Sequence, residues 1–220
     1  MSLPRAPIVV FDAFGTLLDV HSAVARLADR VGPEAARLSE IWRAKQLEYS
    51  WTRALMGRTA PFWHLTEAAL DHALARCPQV DAALRPDLLA AYRRLEAYPD
   101  VPATLARLSA RGARTAILSN GDPAMLADAV EAAGLAASLD AVISVEEAGT
   151  FKTHPDAYAP ILRRFACAPG DVLFVSSNRW DVAGATAFGL ACAWVNRAGL
   201  PDEYPDLPPR ATIPDLSGVP

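Results

Sequence analysis

Apolar residues recur along the chain in short runs that stop abruptly at a small or polar residue: Ile8 to Phe11, Thr115 to Leu118, Ala141 to Val145, Val172 to Val175 and Ala191 to Val195. Short runs without a polar break suit strands buried on both faces. Between them lie longer Ala/Leu-rich stretches with helical spacing. Strands alternating with helices predict an α/β fold, a Rossmann-like, mostly parallel sheet covered by helices on both faces. In such sheets ligands bind beyond the carboxyl ends of the strands, so the residues that end each run carry the functional interest.

The stretch from Leu18 to Ala97 breaks this rhythm. It keeps a helical period, carries Trp42, Trp51, Phe62 and Trp63, and offers no convincing strand. We expect a helical cap domain, residues 18–97, inserted after the first strand into a core made of residues 1–17 and 98–220. Within the cap, Ser39 to Trp51 reads as one helix opening on Ser39 as its N-cap. Arg43, Leu47, Ser50 and Ala54 fall on one face of that helix, suited to looking into a cleft. After Gly199, Pro and Asp accumulate, and the C-terminal stretch reads as an irregular tail.

Composition narrows the class. Of 220 residues, 52% are hydrophobic and 21% charged, which fits a chain that buries a sizeable core. The formal net charge of -4 and the lack of any Lys/Arg run argue against a nucleic-acid partner. The first apolar run is four residues long, too short for a signal peptide or membrane span, so we expect a cytoplasmic protein with no membrane association. Cys77, Cys167 and Cys192 are widely spaced and form no CxxC, which predicts free buried thiols rather than a disulfide or zinc site.

The strand ends hold the candidate chemistry. Asp12 closes the first run and precedes Ala13-Phe14-Gly15-Thr16; a carboxylate there either bonds turn amides or acts as a nucleophile. The second run ends in Ser119-Asn120-Gly121, the third is followed by Phe151-Lys152, and the fourth ends in Ser176-Ser177-Asn178-Arg179-Trp180-Asp181. Each has an ordinary turn or surface explanation alone. Their succession at one rim of the sheet is what points to a site.

These four segments resemble, in order, the motifs of the haloacid dehalogenase superfamily. The likeness is sharper in Asp12 to Ser22, Trp42 to Trp51 and Val175 to Asp181, which resemble the type II (S)-2-haloacid dehalogenases. The resemblance implies displacement of halide from short 2-haloacids by Asp12, through an aspartyl ester that water hydrolyses to the inverted (R)-2-hydroxyacid. Superfamily phosphatases resemble one another in placing a general acid two residues after the nucleophile. Phe14 stands there and cannot donate a proton, whereas a halide leaves without one. The fourth motif offers Ser176, Ser177 and Asn178 where those phosphatases usually add acidic ligands, so we expect no metal and no cofactor. The alternatives are a Mg²⁺-dependent small-molecule phosphatase and a non-catalytic carboxylate-binding homologue.

By the same resemblance, Lys152 pairs with Asp12 and Asp181, Thr16 supports Asp12, and Tyr158 joins the Lys152 network. Asp181, Asn178 and Ser176 position or activate the hydrolytic water. Ser119 and the backbone amides near Ala13 and Phe14 hold the substrate carboxylate; Arg43 and Asn120 receive the halide. Leu47, Phe62 and Trp180 form an apolar wall around C2. Ala13 and Ala44 replace larger residues of some relatives, which bears on pocket size. His21 and His154 are expected to cap or lie at the surface, and a homodimer is implied.

Overall fold

The computed structural model describes residues 3–220. Six parallel strands form the main sheet: β1 (Ile8–Phe11), β4 (Arg114–Ser119), β5 (Ala141–Ser144), β6 (Val172–Ser176), β7 (Ala191–Val195) and β8 (Ala211–Ile213), in the order β5-β4-β1-β6-β7-β8. A separate antiparallel ribbon pairs β2 (Leu18–Asp19) with β3 (Glu96–Ala97). The five strands read from the apolar runs are all present. Every residue of β1 and β6 is buried, as expected for central strands covered on both faces. From β1 the chain builds outward through β4 and β5, then crosses to β6 on the opposite side of β1. That reversal creates a crevice at the carboxyl ends of β1, β4 and β6.

Helices α1 (Ser22–Ala25), α2 (Ala28–Val31), α3 (Ala35–Leu55), α4 (Phe62–Arg76) and α5 (Arg85–Tyr92) fill the segment between β2 and β3. The remaining helices, α6 (Val101–Ala110), α7 (Pro123–Ala132), α8 (Ala159–Phe165) and α9 (Arg179–Phe188), belong to the sheet layers. The fold is therefore α/β with a helical cap inserted after the first strand. The ribbon lies where the chain enters and leaves the inserted segment. Two-residue strands carry no periodicity to read, which is why the sequence showed no strand there.

Two local expectations are corrected. Ser39 is not an N-cap: α3 begins four residues earlier, after a 3-10 turn at Gly32–Glu34 with Pro33 preset for the first turn. Ser39 is instead buried within the helix, its Oγ 2.7 Å from His21 Nδ1. The C-terminal stretch is no irregular tail throughout, because β8 extends the sheet beside β7. Arg179 ties the connecting loop down: Nε donates to Asp202 Oδ1 at 2.6 Å and Nη2 to the carbonyls of Tyr204 and Leu207 at 2.6 and 3.0 Å. Cys77 and Cys192 are buried and Cys167 half-buried; all three thiols are free.

Candidate active site

The turn after β1 is shaped by its own backbone. The N–H groups of Thr16, Leu17 and Leu18 all donate to the Ala13 carbonyl, and Gly15 N–H donates to Leu18 O. Gly15 has φ of +93°, a conformation that side chains rarely tolerate. These bonds leave out the N–H groups of Ala13 and Phe14, which stay available beside Asp12, as in other backbone anion nests.

Asp12 is almost fully buried, and both its oxygens are occupied. Oδ1 lies 3.0 Å from Lys152 Nζ; Oδ2 accepts from Thr16 Oγ1 at 3.0 Å and from Asn178 Nδ2 at 2.8 Å. Lys152 reaches on to Asp181 Oδ2 at 2.8 Å, so one ammonium links two buried carboxylates. Burial alone works against the charged lysine, but the two carboxylates outweigh it and Lys152 is raised above its ordinary value. Asp181 is raised to about 6, chiefly by burial; Lys152 resists the shift and the Asp12 charge adds to it. Tyr158 donates to Asp181 Oδ1 at 2.9 Å and stays protonated, because burial and then the Asp181 charge push its phenol well above the usual range.

Above this cluster is a small cavity of about 10 Å³, the space of about one water molecule. Asp12, Phe14, Ser119, Asn120 and Lys152 line it from the strand ends, Trp180 from α9, and Arg43, Leu47 and Phe62 from the cap. The Asn120 side-chain oxygen accepts the Lys152 N–H at 2.9 Å, which turns its Nδ2 end free for the cavity. Ser119 Oγ accepts from Gly121 N–H at 3.2 Å and keeps its proton to donate. Arg43 Nη2 donates to Phe14 O at 3.1 Å and Nη1 to Gln46 Oε1 at 2.8 Å, bringing its guanidinium from α3 over Asp12. Trp180 stands edge-on to Trp51 at 5.4 Å and, with Lys152, also walls an outer cavity of about 520 Å³.

Other residues stand behind the cavity rather than on it. Thr16 and Asn178 bond Asp12, Asp181 bonds Lys152, and Tyr158 bonds Asp181. Ser176 is fully buried, and its Oγ accepts the Asn178 N–H at 3.1 Å, so it shapes the turn that presents Asn178. The Ala13 side chain is packed inside the core, leaving only its backbone N–H beside Asp12, and Ala44 is exposed on the outer face of α3. The proposed α3 face splits: Arg43 and Leu47 meet the cavity, Ser50 is buried and bonds Leu47 O, and Ala54 lines the outer cavity. His154 caps a 3-10 turn through Nδ1.

Three contributors were missed in the sequence. Gln46 holds Arg43 and Tyr92 in turn holds Gln46, and only the i, i+3 spacing of Arg43 and Gln46 hinted at the first. Asp122, placed like an N-cap for α7, makes no cap bond there and instead accepts Phe62 and Trp63 N–H at 2.6 and 2.7 Å.

A Rossmann-like sheet with a helical cap over a strand-end aspartate, bridged by lysine to a second carboxylate, defines a class of capped hydrolase with an aspartate at its centre. The chain belongs to the haloacid dehalogenase-like hydrolase family, whose model matches residues 7–189, and within it to the type II (S)-2-haloacid dehalogenases. It is 48% identical over 212 residues to (S)-2-haloacid dehalogenase 1 of Pseudomonas sp. (strain CBS-3), covering 96% of this chain and 93% of that one. It matches a dehalogenase solved with an intermediate complex at TM-score 0.94 and 44% identity, covering 98% and 96% of the two chains. The L-2-haloacid dehalogenase of Xanthobacter autotrophicus with chloropropionic acid covalently bound matches at TM-score 0.85 and 40% identity, covering 96% and 95%.

Proposed function

We propose that this chain hydrolyses short (S)-2-haloalkanoic acids to (R)-2-hydroxyacids without a metal or cofactor. The observation that carries this is the pairing of a nucleophile with an anion receiver: Asp12 and the Arg43 guanidinium face one small cavity walled by Phe14, Leu47, Phe62 and Trp180. Ser119 and the N–H groups of Ala13 and Phe14 hold the substrate carboxylate. An Asp12 oxygen bonds C2 as the carbon–halogen bond breaks, and the halide leaves with the electron pair toward Arg43 and Asn120. The cavity excludes water during this step. Water then adds to the Asp12 carboxyl carbon, aided by Asp181 and Asn178 with Ser176 behind them. The ester breaks at its acyl bond, the hydroxyacid leaves with a proton from that water, and Asp12 is restored.

The Lys152 ammonium fills the space between Asp12 and Asp181, which supports a mechanism in which a fixed side-chain cation keeps Asp12 ionised. We further propose that residues 18–97 act as the cap over a core of residues 1–17 and 98–220, and that the enzyme works as a cytoplasmic homodimer. Among the described residues no helix is long and apolar enough to cross a membrane. The test is halide release from each enantiomer of 2-chloropropionate, with and without a chelator. Release from the (S) enantiomer, undiminished by chelator, is expected; release from neither by folded protein rejects the proposal.

A further inference from the structure

Among the described buried and half-buried arginines, Arg43 shares only with Arg111, which bonds the Ala6 carbonyl and does not line the cavity, the lack of a carboxylate partner. Arg179 is paired with Asp202 and Arg197 with Asp100, each through a carboxylate at 2.6 to 3.0 Å. Among the described residues no carboxylate forms an ion pair with Arg43. Its two bonds go to neutral oxygens, the Gln46 side-chain amide and the Phe14 carbonyl.

The polarity of Gln46 is set from behind. It is fully buried; its Nε2 donates to Thr66 Oγ1 at 2.7 Å, and that hydroxyl passes its own proton to Phe62 O at 2.9 Å. Tyr92 Oη donates to the same Gln46 Oε1 at 3.1 Å, and burial keeps the Tyr92 phenol protonated. With the amide nitrogen committed to Thr66, only the oxygen faces Arg43. The relay orients a half-buried guanidinium without giving it a carboxylate partner.

We propose that Gln46 is a positioning and tuning residue for the halide-release step: as a neutral acceptor locked by Thr66 and Tyr92, it aims Arg43 into the cavity without neutralising it. A carboxylate at this position would hold the guanidinium equally well, yet would compete with the departing halide for its charge. This rests on the reading of Arg43 as halide receiver.

The experiment compares wild type with Gln46→Glu and with Thr66→Val, which frees the amide to turn. Bromide binding to the resting enzyme is measured as a thermal shift at constant ionic strength, and turnover as the ratio of rates on 2-bromo- and 2-chloropropionate. Gln46→Glu should weaken bromide binding by about tenfold or more and raise the bromo-to-chloro ratio, because chloride is the poorer leaving group and needs the cation more. Thr66→Val should move both readouts the same way by about threefold to tenfold, the scale of one hydrogen bond. If Gln46 only packs the cap, Glu, which keeps its shape and its acceptor, leaves both readouts at the wild-type level and overturns the proposal. Should Gln46→Glu fail to fold, unchanged bromide binding in Thr66→Val overturns it alone. A wild-type enzyme that binds bromide but releases no halide from any haloacid defeats the proposed function while leaving the Gln46 test intact.

Discussion

Asp181 shares the ammonium of Lys152, its Oδ2 2.8 Å from Nζ, while the other side of that ammonium faces Asp12. One cation between two buried carboxylates cannot satisfy both fully, and Asp181 bears the deficit, with its pKa raised to about 6 by burial first and by the Asp12 charge. Asp181 must be ionised to draw a proton from the hydrolytic water. Burial persists in the ester while the Asp12 charge does not, so ester hydrolysis should fall away on an acid limb above the ordinary carboxylate value but no higher than about 6, which rapid-quench measurement of that step across pH 4–9 checks. Asp181→Asn should slow ester hydrolysis more than ester formation and leave the Asp12 ester detectable by mass spectrometry. An acid limb near the ordinary carboxylate value would show that Asp181 is not the group titrating.

Removing the shared cation gives a stability prediction with a sign. A raised carboxylate contributes most to stability below its unfolded value, and that contribution is lost as pH rises through the folded value. Lys152, also raised, contributes below its own unfolded value and loses that only in strong alkali. In Lys152→Met, Asp12 and Asp181 face each other unpaired, and Asp181 moves further up. The variant should lose about 3–5 kcal/mol near pH 8, the cost of breaking a buried pair. The loss should be smaller at pH 5, where Asp181 carries its proton. Urea denaturation at the two pH values measures this, and an equal loss at both contradicts it. Turnover should fall by about 10²–10³-fold, comparable to removing a key electrostatic group.

Gly184 on α9 explains why Tyr158 can reach Asp181. A Cβ at Gly184 would stand 2.5 Å from the Tyr158 hydroxyl and 2.8 Å from Thr153 Cβ, closer than real contacts allow. Gly184→Ala should cost about 1–3 kcal/mol through overpacking. It should also drive the Tyr158 hydroxyl off Asp181, removing a donor that favours the ionised carboxylate. The acid limb of ester hydrolysis should then move to higher pH, as in Tyr158→Phe, which lacks the overpacking. A destabilised Gly184→Ala with an unmoved limb would separate packing from the Asp181 bond.

The strand ends were legible because buried parallel strands read as apolar runs, and the polar residues that stop them, Asp12, Ser119 and Ser176, are where side chains emerge at the rim. β8 was not legible, since a three-residue strand between Pro209 and Pro214 is too short to show alternation and the loop before it is held by the distant Arg179. The relay to Arg43 was half legible. Gln46 shares a helix with it, but Tyr92 meets Gln46 across 46 positions of sequence, and a buried phenol reads from sequence as ordinary core. Ser39 misled because a good N-cap residue type was taken for a cap while Pro33 had already started the helix upstream.

Asp122, on the loop after β4, joins the core to the start of α4 in the cap. Its two oxygens accept the first N–H groups of α4, where a carboxylate meets both unpaired donors and the positive end of the helix. The neighbouring cross-junction ion pair, Arg93 with Asp128, is partly exposed and adds little. Because Phe62 begins α4 and walls the cavity, this bond couples cap closure to the shape of the site. A cavity of about 10 Å³ is smaller than a haloacid, and movement at this junction is the expected way to enlarge it. Asp122→Ala should destabilise the chain by about 1–2 kcal/mol, as lost capping bonds do. It should also speed amide exchange at Phe62 and Trp63 and raise KM more than it lowers kcat, because opening becomes easier while Asp12, Lys152 and Arg43 stay in place. Asp122→Asn, which keeps one acceptor and loses the charge, should fall between. Unchanged exchange at the start of α4 with a large fall in kcat would instead assign Asp122 to the chemistry itself.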